Sequence, residues 1–398
     1  MNRLRVIGAG PGGAGFLTAA AAEAIAGADV VWCAERHAAL VPPGKQRPLL
    51  PFGAAIDGME AALREGQRCA VLLSGDPGLY SLLPRLKERF GEEGLSVLPS
   101  VSSVQVLCAA LGTGWEDARI LSAHGRALSP SALCYSVRAH PKTMVLLDGE
   151  KNPHWVRAAL DGGGLKDLPF VVGERLCCEG ECVASYEERE YDPLSVAFIA
   201  NDTPEPGLPP VGIPDGEFIR GKTPMTKREI RRQIVGELGL RPDSVVWDVG
   251  AGTGSVSIEC SGQCPLGSVF AVEREEEALS LIGKNRERFF AQNLIAVSGE
   301  APEALPGLPL PTHVFLGGTG GRAREILDFL SCLGTRIRLV ATAVTVENAA
   351  FYTEALSGYG DFAAAQIAVS RLFPAGGIHL LRAENPVFVF SATLEGKP

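Results

Sequence analysis

Residues 201–218 read NDTPEPGLPPVGIPDGEF and hold five prolines and three glycines. Proline lacks the amide donor that helix interiors and central strands require, so neither can run through this stretch. A rhythm of short apolar strands and helix-length segments stops before it and restarts beyond it. The spacing predicts two modules, 1–203 and 213–398, joined by a proline-rich linker at 204–212. Each is about 200 residues, an ordinary domain size.

Both modules open alike, with an apolar strand, a glycine loop and a helix. In the first, RLRVIGAG, DVVWCA, CAVLLSG, LSVLPS and TMVLLDG are expected as buried strands. In the second, SVVWDVGAG, SVFAVER, LIAVSGEA, THVFLGG and RIRLVATAV take that part. Strands alternating with helices predict an α/β class with mostly parallel sheets and ligands at the carboxyl ends of strands. The late segment GIHLLRAENPVFVFSATL holds two strand-like runs with no helix between them, which predicts an antiparallel hairpin finishing the second sheet.

Composition narrows the partners. Net charge is −9, so no overall basic field draws the chain to nucleic acid or an anionic membrane. No apolar run approaches the ~20 residues of a membrane span. The alanine-rich TAAAAEAIAGA carries Glu23 and follows a structured motif, so it is not expected to be a signal peptide, and a cytoplasmic location is expected. The ten cysteines are then expected to be reduced; CCEGEC and CSGQC lack zinc-type pairing, so no metal site is expected.

The first glycine loop, VIGAGPGGAG, spells G-x-G-x-x-G with Gly8, Gly10 and Gly13, and Glu35 follows at the spacing of a dinucleotide fingerprint. Alone, this predicts a flavin or nicotinamide oxidoreductase. The second loop, VVWDVGAGTGSVSIE, is more informative. Gly250, Gly252 and Gly254 let the backbone turn and approach a ligand. Asp248 at the strand end suits a cationic or amine-bearing ligand better than a pyrophosphate. Glu273 ends the next strand, placed to accept hydrogen bonds from ribose hydroxyls, and Gly299–Glu300–Ala301 closes a third. Gly317, Gly318, Gly320 and Gly321 make a loop open enough for a bulky flat substrate, without the Asn/Asp-Pro-Pro-Tyr of enzymes that methylate amino groups of nucleic acids.

Before this loop lies FIRGKTPMTKREIRRQIVGELGL. Thr226 and Glu229 are spaced as a capping box, with Ile230, Ile234 and Leu238 facing inward. Arg220, Lys222, Lys227, Arg228, Arg231 and Arg232 face a single acid, Glu229, making Arg228, Arg231 and Arg232 candidates to bind an anionic substrate. A solvated helix face is the alternative.

The segments IPDGEFIRGKTPMTKREIR, VVWDVGAGTGSVSIE, GEAPEAL and FLGGTGG together resemble the class I S-adenosylmethionine (SAM) methyltransferases of cobalamin synthesis that methylate C15 of a precorrin and decarboxylate its C12 acetate. The resemblance implies a Rossmann-like fold and cofactor contacts from Thr226, Gly250, Ala251, Gly252, Thr253, Gly254, Glu273 and Ala301. In the first module GAGPGGAGFLT, LLSGDPGLYS, LPSVSSVQVLCAALG, SAHGR and VVGERLCCEGE resemble the two-lobed class III tetrapyrrole methyltransferases, most of all those that methylate C5. That implies cofactor contacts from Gly75, Asp76, Pro77, Ser102 and Ser103, with Gly8, Gly10, Pro11 and Gly12 lining the cleft. Ser100 stands where the family has glycine, and Cys177 replaces the glycine common after E-R-L.

Together the modules resemble the fused family that acts on precorrin-6Y at C5 and C15. The resemblance implies SAM in each module and a small-molecule tetrapyrrole substrate; a homo-oligomer is expected, and charge and hydropathy predict no nucleic-acid or membrane partner. The meso carbons are enamine-like nucleophiles, so the protein's task is alignment in a dry cleft. A general acid would protonate the carbon left by CO2 loss. His379 is the catalytic candidate for this, and a packed core histidine is the alternative for that residue. A dinucleotide oxidoreductase and a non-catalytic tetrapyrrole carrier are the competing functions.

Overall fold

The computed structural model describes residues 3–125, 128–205, 207, 208 and 211–395. Part of the expected linker (206, 209 and 210) and the last residue of SAHGR, Arg126, lie outside them. Chain contacts separate two compact units: Met1–Leu128, Ser136–Ala158 and Lys166–Glu205 form one, and Ser129–Tyr135, Ala159–Leu165 and Pro206–Pro398 form the other.

The first unit carries two sheets. Strands β1 (Leu4–Gly8), β2 (Val30–Cys33), β3 (Gln46–Pro48), β4 (Cys69–Leu73) and β5 (Leu95–Leu98) form a parallel sheet in the order β3-β2-β4-β1-β5. β4 is buried at every position, as a central parallel strand covered on both faces must be. Leu4, Val6, Trp32 and Met59 pack in one core, and Ile7, Ile25, Val31 and Leu72 in another. The second sheet holds β6 (Ala118–Ser122), β7 (Lys142–Leu146), β8 (Phe170–Glu174), β9 (Cys182–Ser185) and β10 (Ser195–Ala200), ordered β6-β7-β10-β8-β9. Only β6 and β7 run parallel; the other pairs are antiparallel. This departs from the expected parallel character. The connection from β8 to β9 spans only 175–181, too short for the crossover of a dozen or so residues that a parallel pair needs.

The second unit is one seven-stranded sheet. Its strands are β11 (Val245–Val249), β12 (Ser268–Glu273), β13 (Leu294–Ser298), β14 (His313–Leu316), β15 (Ile337–Ala343), β16 (Gly360–Ile367) and, after a separate ribbon of β17 (Ser370–Ala375) and β18 (Ile378–Ala383), β19 (Val387–Leu394). The order is β13-β12-β11-β14-β15-β19-β16, with β19 antiparallel to both neighbours. The expected terminal hairpin is therefore corrected. β19 slots between β15 and β16, while β18 pairs with β17 outside the main sheet. Burial explains the split: six consecutive residues of β19 are buried, whereas β18 is exposed throughout.

The helix Arg228–Leu238 starts one residue later than the capping-box spacing predicts, with Lys227 at the N-cap and no side-chain cap. Glu229 is drawn away to Arg371 instead of folding back on the helix start. Gly239, left-handed at φ 61°, ends the helix.

Candidate active site

In the second unit the carboxyl ends of β11, β12, β13 and β14 face one cavity of about 550 Å3. Of the residues expected at a cofactor, Thr226, Gly250, Ala251, Gly252, Thr253, Glu273 and Ala301 line it. The loop after β11 is pinned from the neighbouring strand. Gly250 and Ala251 donate their amides to the Val272 carbonyl at 2.9 and 3.1 Å. Gly252 donates to the Glu273 carboxylate at 2.8 Å, and that carboxylate also accepts from the Arg274 and Glu275 amides. Gly250 has φ 72°, and a Cβ there would lie 2.0 Å from the Gly318 carbonyl oxygen, so the two glycine loops touch where no side chain fits. Gly254 stands behind the wall as the cap of helix Ser255–Gln263 and does not line the cavity.

Four sequence expectations change. Asp248 does not line the cavity. Its carboxyl is 1 % exposed and accepts from the Ser257 hydroxyl on the helix behind. Burial, with the Glu273 charge adding to it, pushes its pKa up to about 7. Arg231 is not a substrate anchor, because it is fully buried. It donates to Glu259 at 2.7 Å, to Asp215 at 2.9 Å and to the Thr226 and Ile213 carbonyls, and lies over the Phe218 ring at 4.6 Å. It ties the turn bearing Thr226 to the helix that follows the glycine loop. Arg228 and Arg232 also lie off the cavity, with Arg232 donating to the Val211 carbonyl at 3.3 Å. His379 is exposed on β18, paired with Pro374 beside the turn of the ribbon, and is neither in the cavity nor in a core. The ribbon meets the cavity at its other end, through Val369 and Glu384. Five residues of extended chain separate His379 from Glu384, about 16 Å.

Other residues that line the cavity were not among the expected contacts. Lys227 and Arg274 contribute cations, Glu300 and Glu384 anions, and Asn385 an amide. Glu384 pairs with Arg371 at 2.8 Å, and Arg371 also reaches Glu229, so the ribbon is clasped to the start of helix Arg228–Leu238. The Asn-Pro at 385–386, a turn signal, marked the place where this chain enters the site.

In the first unit the loops after β1, β4 and β5 are drawn together. Gly10 and Gly75 exchange backbone bonds at 3.3 and 2.9 Å. Asp76 accepts from the Ser100 amide at 2.9 Å and from the Gly78 amide at 2.7 Å, so its carboxylate shapes the loop. A Cβ on Gly8 would lie 2.6 Å from that of Ser100 and 2.8 Å from Pro77, and one on Gly12 would lie 2.4 Å from the Cys178 sulfur. Pro11 meets the same cysteine through its carbonyl, 3.9 Å from the sulfur. Ser102 caps helix Ser103–Ala110 in a complete capping box with Gln105, which uses its hydroxyl locally. Cys177 adopts φ 62°, the left-handed conformation that the family's glycine would supply without strain.

The dinucleotide reading fails on strand order. β4 lies between β1 and β2, so Glu35 sits two strands from the glycine loop, about 10 Å across the sheet, not on the adjacent strand that a ribose acid requires. Among the described residues no cluster of His, Cys, Asp and Glu is suited to hold a metal ion, and no helix is long and apolar enough to cross a membrane.

Comparison with known proteins finds matches for both halves of the chain. Residues 3–191 match the model for tetrapyrrole (corrin/porphyrin) methylases, and 217–394 match that for the precorrin methyltransferase domain. A cobalt-precorrin-6B C(15)-methyltransferase (decarboxylating) of Salmonella typhimurium is 39% identical over 46% of this chain and 95% of its own. The cobalt-precorrin-7 C(5)-methyltransferase of the same organism is 36% identical over 45% of this chain and 87% of its own. A precorrin-6Y C(5,15)-methyltransferase (decarboxylating) of Sinorhizobium sp is 30% identical over 98% of this chain and 96% of its own. With both halves matched and a relative alike from end to end, the chain belongs to the precorrin-6Y C(5,15)-methyltransferase (decarboxylating) family.

Proposed function

We propose that the chain transfers methyl groups from SAM to C5 and C15 of precorrin-6Y and releases the C12 acetate carboxyl as CO2. In this reading 1–203 methylates C5, 213–398 methylates C15 and decarboxylates, and each module holds its own SAM. The observation that carries it is the meeting of four strand ends and two glycine loops around one cavity in the second unit. Two relatives named for single reactions each match under half of the chain, which supports one reaction per module.

The cavity residues fit the cofactor. The Glu273 carboxylate is available to ribose hydroxyls, and Gly252 keeps the wall thin, since a Cβ there would press to 3.3 Å of the Pro224 carbonyl. The buried Thr253 hydroxyl in that wall has no hydrogen-bond partner among the described residues. Glu273, Glu275, Glu300 and Glu384 make the lining predominantly acidic, which favours a cationic ligand. Bound SAM supplies an electrophilic methyl on a sulfonium. The protein's part is to hold donor and ring carbon in line and to keep water out. The Gly317–Gly321 loop leaves room beside the glycine loop for a flat ring. In the first unit, Gly8, Gly10 and Gly12 keep the strand ends clear of side chains, and the Gly75–Pro77 loop and Ser103 stand with them as the expected cofactor contacts.

Mass analysis of product from the full chain, SAM and precorrin-6Y tests the reading. Two methyl gains with one CO2 loss are expected; a product without CO2 loss overturns it. Residues 211–398 alone are expected to methylate C15 and release CO2. A fragment that folds yet does neither refutes the division between modules.

A further inference from the structure

The arginines of the first unit differ in what holds them, and Arg36, after β2, is exposed. Arg64, Arg68, Arg89, Arg175 and Arg189 each pair with a carboxylate. Arg36 has no carboxylate partner among the described residues. Its only side-chain bond there is from Nη2 to the hydroxyl of Ser74. Arg36 follows β2, and Ser74 follows β4 directly before Gly75, the residue bonded to Gly10 after β1. Arg36 therefore sits where the carboxyl ends of β1, β2 and β4 converge, the crevice in which open α/β sheets bind ligands.

The clamp is built from neutral groups. The His37 Nε2 lies 2.8 Å from the Ser74 oxygen. The Ser74 hydroxyl is therefore held from two sides, by Arg36 and by His37. His37 is 4 % exposed, and burial, with the Arg36 charge adding to it, pulls its pKa down to about 4, so its ring stays neutral near neutrality. The guanidinium is thus oriented without being neutralised, and its Nε and Nη1 have no partner among the described residues. A planar fork with free donors matches a carboxylate.

We propose that Arg36 anchors a ring carboxylate of the tetrapyrrole in the first unit's cleft, with Ser74 and His37 as positioning residues. This rests on the proposed function, in which the substrate is a polycarboxylate. In the full chain, R36Q should raise the KM of precorrin-6Y for C5 methylation at least about 10-fold, with SAM affinity and C15 methylation unchanged. R36K, which keeps the charge and loses the fork, should recover part of the loss. S74A should raise the same KM by about 3-fold, with kcat held. A wild-type KM in R36Q overturns the anchor, as does weakened SAM binding at normal precorrin KM, which would assign Arg36 to the cofactor's carboxylate. A wild-type chain that methylates neither carbon overturns the functional reading itself, so the two failures are distinct.

Discussion

The loops after β1 and β11 both begin Gly-Ala-Gly behind a buried strand, and they are held differently. In the first, the Ala9 and Gly10 amides go to the carbonyls of Leu73 and Gly75 on and after β4. In the second, Gly250 and Ala251 go to a carbonyl but Gly252 goes to the Glu273 carboxylate. Behind the second loop lie a buried Asp248 and a buried Arg231–Glu259 pair. The neighbouring strand makes the difference. β11 lies beside the strand that ends in an acid, whereas β1 is separated from its nearest equivalent by β4. A glycine spelling sets only what the backbone can do; the strand beside it sets the chemistry.

If charge holds the second loop, its removal should be felt there first. Arg231→Ala leaves the buried Glu259 carboxylate without its cation, held only by the Gly212 and Ile213 amides, with an expected loss of about 3–5 kcal/mol in the second unit's stability by urea denaturation. A loss below about 1 kcal/mol would show that the pair is dispensable and erase the contrast.

Asp248 sharpens it through pH. Its folded pKa of about 7 stands above the usual 3.8, so the folded state holds its proton more tightly than the unfolded one. Wild-type stability should therefore fall, relative to Asp248→Asn, as pH rises from about 4 to 7, and the gap should level off above that at no more than about 4 kcal/mol. Denaturation at pH 5 and pH 8 measures it; a gap that shrinks with rising pH contradicts the assignment.

The two strand-end acids give a direct pairwise test. Glu273→Ala removes charge-assisted bonds worth about 1.5–3 kcal/mol, so SAM affinity in the second unit should drop roughly 10- to 150-fold. Glu35→Ala should leave SAM binding unchanged. Equal effects would restore the fingerprint reading of the first loop.

The smallest effects are expected off the cavity. Replacing Arg228 and Arg232 together by Gln should change the precorrin KM by no more than about 2-fold, since neither lines the cavity and charges at a surface contribute only about 0.2–1 kcal/mol. His379→Ala should leave CO2 release at the wild-type rate.

The glycine loops and the acid after β12 were legible because turns, close approach and strand-end acids leave local signatures. Arg231 was not. It follows Ile230 on the inward face, but arginine is so rarely buried that only the partners Asp215 and Glu259, from elsewhere in the chain, reveal its place. The ribbon misled in the opposite way. β18 is apolar enough to read as a sheet strand, yet Leu380 and Leu381 are exposed. Pairing is decided between distant strands, and no local pattern states that β19 belongs between β15 and β16. The clamp on Arg36 was hidden for the same reason, since Ser74 belongs to the loop after another strand.

That late strand sets an order of assembly. β1 to β5 complete their sheet from residues 4–98 alone. β15 and β16 have no shared partner until 387–394 emerges, and β10 closes the gap between β7 and β8 in the same manner. During synthesis the half-finished sheets present open edges, the form most prone to mispairing with other chains. Residues 387–394 are therefore a keystone, and a chain that stops before them leaves a five-stranded sheet ending at β15 with β16 unpaired.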